Sequence, residues 1–145
     1  AVEAPDYAEP LRGFRAWRIA VRSGVARLWS LSLSSEWPTG REPLRATHPW
    51  YLKSDPHDAP ALGCSCGVYA FAHQDRIPRS WWDTMTSPLF VLGEVDLWGV
   101  VVEHEGGWRA EYARPAALYS LSDNPRVEDH VRAAAREYGV PVVAV

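Results

Sequence analysis

Residues 89–121, "LFVLGEVDLWGVVVEHEGGWRAEYARPAALYSL", constrain the fold more than any other stretch of the chain. Aliphatic and aromatic side chains run on both sides of Glu105, Gly106 and Gly107. Two glycines there supply the positive φ that a tight antiparallel reversal needs. The stretch therefore predicts a hairpin, with one arm over 90–104 and a return over 108–113. Pro115 predicts the start of one more short strand, through 118–121. An arm over 90–104 outruns the usual strand of about five or six residues, so Gly93 and Gly99 predict bulges or bends. A lone hairpin is marginal in water, and this one must be the spine of a larger sheet.

Other segments supply partners for it. "FRAWRIAVR" and "VARLWSLSL" flank Ser23 and Gly24 and predict a second hairpin, over 14–21 and 25–33. "EWPTGREPL" is turn chemistry, with Pro38, Gly40 and Pro43. "CGVYAFA" predicts a strand over 67–72, and "RIPRSWWDTMTSP" a short helix or a covering loop. The period then changes. Asp123 or Asn124 is placed as N-cap, Pro125 as the first helical residue, and Val127, Val131, Ala134 and Tyr138 as an apolar stripe. Gly139 suits the C-terminal cap, and "VPVVAV" predicts a closing strand. The fold class expected is α+β: β-rich, a strongly bent antiparallel sheet or small barrel, with one C-terminal helix packed on it.

A length of 145 residues suits one domain. Residues 1–12, with Pro5 and Pro10 and little periodicity, are expected as a flexible N-terminal arm, and 13–145 as a single β-rich domain. Eight Trp give such a domain large apolar payloads for its core. No apolar run reaches the roughly 18 residues of a membrane-spanning helix. The acidic N-terminus lacks the basic and apolar regions of a signal peptide. The chain is therefore expected to be soluble and cytoplasmic, with no membrane partner; its oligomeric state is not legible.

Both cysteines sit one residue apart in "THPWYLKSDPHDAPALGCSCGVYA", residues 47–70. In extended backbone the Cα atoms of residues i and i+2 lie about 6.5–7 Å apart, at the limit for a disulfide. The same geometry places two thiolates on one face, where they can grip a cation. Zinc takes four tetrahedral nitrogen and sulfur ligands, and His48, His57, Cys64 and Cys66 supply two of each, spaced H-x8-H-x6-C-x-C. His73 is a substitute ligand, and Asp55 or Asp58 a carboxylate to orient an imidazole. Pro49, Pro56 and Pro60 leave the segment little regular hydrogen bonding, so something else should hold it. The alternatives are small buried hydrophobes or a reactive thiol.

Three pieces, "GFRAWR", "CSCGVYA" and "GEVDLWGVVVEHEGGWRAEYARP", together resemble a set of small actinobacterial proteins sharing a first strand, a C-x-C-G turn and a long hairpin ending in "WRAEYA". The resemblance spans roughly residues 13–119. It implies a β-rich single domain and no activity. Members of that set often carry a further Cys upstream of their C-x-C-G, where this chain offers His48.

Candidate chemistry elsewhere is thinner. The hairpin tip gathers Glu103, His104 and Arg109, which suit general acid–base work or, more blandly, a solvated tip with a cross-strand ion pair. No nucleophile elbow or glycine-rich phosphate loop is present. Arg15, Arg18 and Arg22 alternate with Trp17 in a stretch without acids; they read as a solvated strand face or a nucleic-acid contact, although a net charge of −3 argues against the second. Adjacent Trp81 and Trp82 are candidate contact residues. The function expected is a non-enzymatic, metal-stabilised β-rich binding or regulatory module that acts through a protein partner, with zinc as the structural metal. The alternatives are a small hydrolase or transferase using His104 with Glu103 and Arg109, and a nucleic-acid-binding module.

Overall fold

A computed structural model describes residues 2–4, 9–31, 35–48, 57–84, 90–121 and 123–145. Eight strands are β1 (Val2–Ala4), β2 (Leu11–Arg22), β3 (Val25–Trp29), β4 (Leu44–Arg45), β5 (Val68–Phe71), β6 (Phe90–His104), β7 (Gly107–Ser120) and β8 (Val142–Ala144). Two helices are α1 (Arg79–Thr84) and α2 (Pro125–Tyr138), and a 3-10 turn covers Gln74–Arg76. The class is α+β, a strongly bent β-rich sheet with one main helix, as the sequence predicts.

The spine is the β6–β7 hairpin. Gly99 adopts φ 78° inside a bulge where Val101 regains register with Ala110, and the amide this frees, Val100 N–H, donates to Glu111 Oε1 at 3.1 Å. The expected bulge at Gly93 lies elsewhere. The first register shift falls between Glu94 and Val95, and Gly93 is there because a Cβ would press into the Ala117 carbonyl and Trp17. At the tip only Gly106 has positive φ, at 83°; Gly107 instead leaves room for the Ala70 carbonyl of β5. Pro115 does not start a new strand. It sits inside the continuous β7, opposite Val95 at that first register shift, where a missing N–H is tolerated.

Strands β6, β2, β5 and β7 pair in turn, and β7 pairs back with β6. This partial ring closes on one bridge, Phe14 to Phe71. Its inside is narrow, so small residues line it: a Cβ on Gly13 would lie 2.7 Å from that of Ala70. The sheet is mixed rather than purely antiparallel, because α2 carries the chain back and lays β8 parallel to β7. Within the segment expected as an arm, Val2–Ala4 pairs with β6, and Leu11 and Arg12 open β2.

Helix α2 starts where expected. Asn124 Oδ1 accepts from Arg126 N–H at 3.0 Å, and Gly139 closes the helix in the left-handed region. Its stripe of Val127, Val131, Ala134, Ala135 and Tyr138 packs on Trp17, Ile19, Leu28 and Trp37. Tyr138 Oη accepts from Leu28 N–H at 2.8 Å and donates to the Trp37 carbonyl at 2.8 Å, tying helix to sheet at two points. A second cluster, Ala16, Ile77, Leu92 and Tyr119, lies on the other side of the sheet. No described helix is long and apolar enough to cross a membrane.

Candidate metal centre

Beyond the tip bulge, β6 and β7 alternate without interruption. Val102 faces Arg109 and His104 faces Gly107, while on β5 Tyr69 faces Arg109. Val102, His104, Arg109 and Tyr69 therefore share one face of the three strands. Val101, Ala110 and Val68 occupy the opposite face and enter the main core. The segment over 57–66 lies across the first face. It has no helix or strand of its own.

What holds it there is first an arginine. The Arg109 side chain is only 6% exposed. Its Nη1 donates to the carbonyls of Ala61 at 3.3 Å, of Cys66 at 2.7 Å, and of Cys64. Tyr69 Oη donates to the Ser65 carbonyl. Gly67 completes the join: a Cβ there would lie 2.9 Å from that of Arg109 and 3.0 Å from that of Pro60, and its φ is 124°. This explains the glycine after C-x-C. The cysteine pair is not on a strand, since β5 begins only at Val68, and no disulfide joins the two thiols.

Three of the four expected ligands converge. His48, His57 and Cys64 each offer a ligand atom, and these atoms lie within 4.8 Å of one another. The two imidazoles meet edge to face with ring centroids 4.3 Å apart. Cys66 stands beside the group: its Sγ is 3.3 Å from His57 Nε2, and its thiol also interacts with that of Cys64. Burial pushes the Cys66 thiol pKa up, and the neighbouring Cys64 adds to the rise. The Ala61 backbone and the Arg109 charge oppose it. Two imidazoles and two sulfurs form a donor set that suits zinc. His73 precedes the 3-10 turn and is not part of the group. Asp55, Pro49 and Pro56 lie outside the described residues.

The other candidate residues are distributed differently. Glu103 is exposed and pairs with Trp108 on the face opposite His104. The His104 ring stands 5.5 Å from that of Tyr69, and its Nδ1 meets the Glu105 carbonyl at 3.1 Å. Arg109 is committed to the loop. His104, Glu103 and Arg109 are thus not gathered in one cleft.

Arg15 points to the core side of β2, opposite Arg18 and Arg22. Its guanidinium lies 4.7 Å from the centre of the Trp37 ring and donates to the Tyr69 carbonyl at 3.0 Å, and burial pulls its pKa down to about 10. Arg18 stacks on Phe90 at 5.0 Å and Arg22 on Trp29 at 5.8 Å. The three arginines do not make one surface. Trp81 and Trp82 on α1 are half-buried against the second cluster; Trp81 meets Phe71 at 5.9 Å and Trp82 stacks on Tyr119 at 6.1 Å.

The sequence reading missed the role of Arg109. Only the register shows it, by setting Arg109 opposite the apolar Val102 rather than Glu103. No protein-family model, no curated protein and no solved structure matches the chain.

Proposed function

We propose that this protein is a zinc-stabilised β-rich module that binds a protein partner, with His48, His57, Cys64 and Cys66 as the metal ligands. One observation carries the reading: ligand atoms of His48, His57 and Cys64 lie within 4.8 Å of one another, with Cys66 Sγ against His57. Small side-chain rotations bring four nitrogen and sulfur donors around one tetrahedral ion. The ion's role is structural. It finishes what Arg109 begins, fixing an irregular segment on the sheet.

The fixed segment also presents apolar surface. Leu62 of the segment is 50% exposed, and Tyr69 of β5, whose Oη donates to the Ser65 carbonyl, is 45% exposed. Side chains already held in place cost little entropy to bury against a partner.

Elemental analysis of the purified chain is expected to give about one zinc per molecule. Cobalt substitution should produce a thiolate-to-cobalt charge-transfer band that Cys64→Ser weakens. If the thiols of folded protein titrate at the rate of a small-molecule thiol whether or not zinc is added, the centre does not exist. Capture of the partner should be lost on chelation and in Leu62→Asp alike; capture indifferent to both removes the partner role.

A further inference from the structure

A groove of about 470 Å³ opens between the last turn of α2 and the middle of β7. It shares no residue with the Cys/His centre. Three arginines line it, each from a different part of the fold: Arg41 from the turn before β4, Arg114 from β7 and Arg136 from α2. Two carboxylates line it as well, but both are engaged by arginines outside the groove. Asp96 accepts from Arg12 Nε at 2.9 Å, and Glu137 accepts from Arg27 Nη1 at 2.9 Å, although Arg12 also holds Glu94 and Arg27 also meets Glu36.

Among the described residues, no carboxylate lies within ion-pair distance of Arg41, Arg114 or Arg136, and none of the three side chains donates a hydrogen bond. In a chain whose net charge is −3, three guanidiniums without an ion-pair partner are thus collected in one concavity, against two carboxylates. The carbonyls at the end of α2 do little to cancel them. Ala135 and Arg136 carbonyls already accept from Val140 and Gly139 N–H.

We propose that this groove binds a small diphosphate-bearing anion. Planar guanidinium forks match phosphate oxygens two at a time, and three forks exceed what one carboxylate can use. The volume falls within the range of small-molecule sites. Recognition rests on the anion itself, because the one aromatic ring lining the groove, Tyr138, is buried with its hydroxyl committed to Leu28 and Trp37.

Isothermal titration of the full chain with inorganic pyrophosphate, in low-salt buffer, tests this. Saturable one-to-one binding is expected, weakened at least about tenfold by Arg114→Gln and by Arg136→Gln. Arg132→Gln, on α2 outside the groove, should leave it unchanged. ADP run alongside identifies the source: equal affinity assigns the phosphates alone, and tighter binding assigns a nucleotide. Circular dichroism checks folding of each variant. Should Arg114→Gln fail to fold, the exposed Arg41→Gln and Arg136→Gln carry the comparison. No saturable binding of either ligand overturns the proposal, as does equal weakening by Arg132→Gln.

Discussion

Arg109 is accommodated beneath a covering segment because carbonyl oxygens of Ala61, Cys64 and Cys66 replace its lost water. Removing the guanidinium would leave those carbonyls short of a donor and the segment without its anchor. Arg109→Met is expected to lower stability by about 3 kcal/mol in urea denaturation. Arg109→Lys should recover less than half of that, because an ammonium is more strongly hydrated than a guanidinium and loses more on burial. Equal stability of the lysine variant would mean that any cation at this position holds the segment. In the sequence Arg109 reads as a tip residue able to pair with Glu103. Alternation places the two on opposite faces, so only the register across three strands reveals what Arg109 touches.

At the scale of elements, the long hairpin and the terminal helix were legible because each is specified locally. The helix carries its own cap residues and stripe, and the hairpin its own turn. The break expected at Pro115 was not borne out, because the register shift that accommodates it is a property of the partner strand. Tyr138 shows how α2 is fastened to the sheet. Burial pushes its phenol pKa up to about 12, from an ordinary value near 10. The folded state therefore favours the protonated form. Its contribution is full below about pH 10 and is lost as pH rises toward 12. Tyr138→Phe is expected to cost about 1–2 kcal/mol at neutral pH. It should also show a flatter fall in stability between pH 10 and 12, read from thermal melts across that range. Tyr119, whose pKa burial and Glu94 also raise, leaves a residual slope in both proteins.

For the whole molecule, the bent sheet sets the Cys/His segment on one side and the main core on the other. The main core joins α2 to β2, β3, β6 and β7. The Cys/His segment lies on the other side of β5 to β7 and contributes little to it. If the Cys/His group holds an ion as proposed, chelation is expected to raise deuterium uptake over 57–66 while leaving 90–104 and 125–138 protected. Uptake rising equally everywhere would mean that a bound ion supports the global fold.

The class, the hairpins and the helix with both its caps were determined by the sequence alone. Propensity, periodicity and capping act over a few residues and leave their marks in order along the chain. Ring closure, the parallel β8, the clamp made by Arg109 and the scattering of Arg15, Arg18 and Arg22 were decided only by the tertiary structure. Each depends on which strand faces which and in what register. That is set by burying both sides of a bent sheet at once, over separations that no local pattern records.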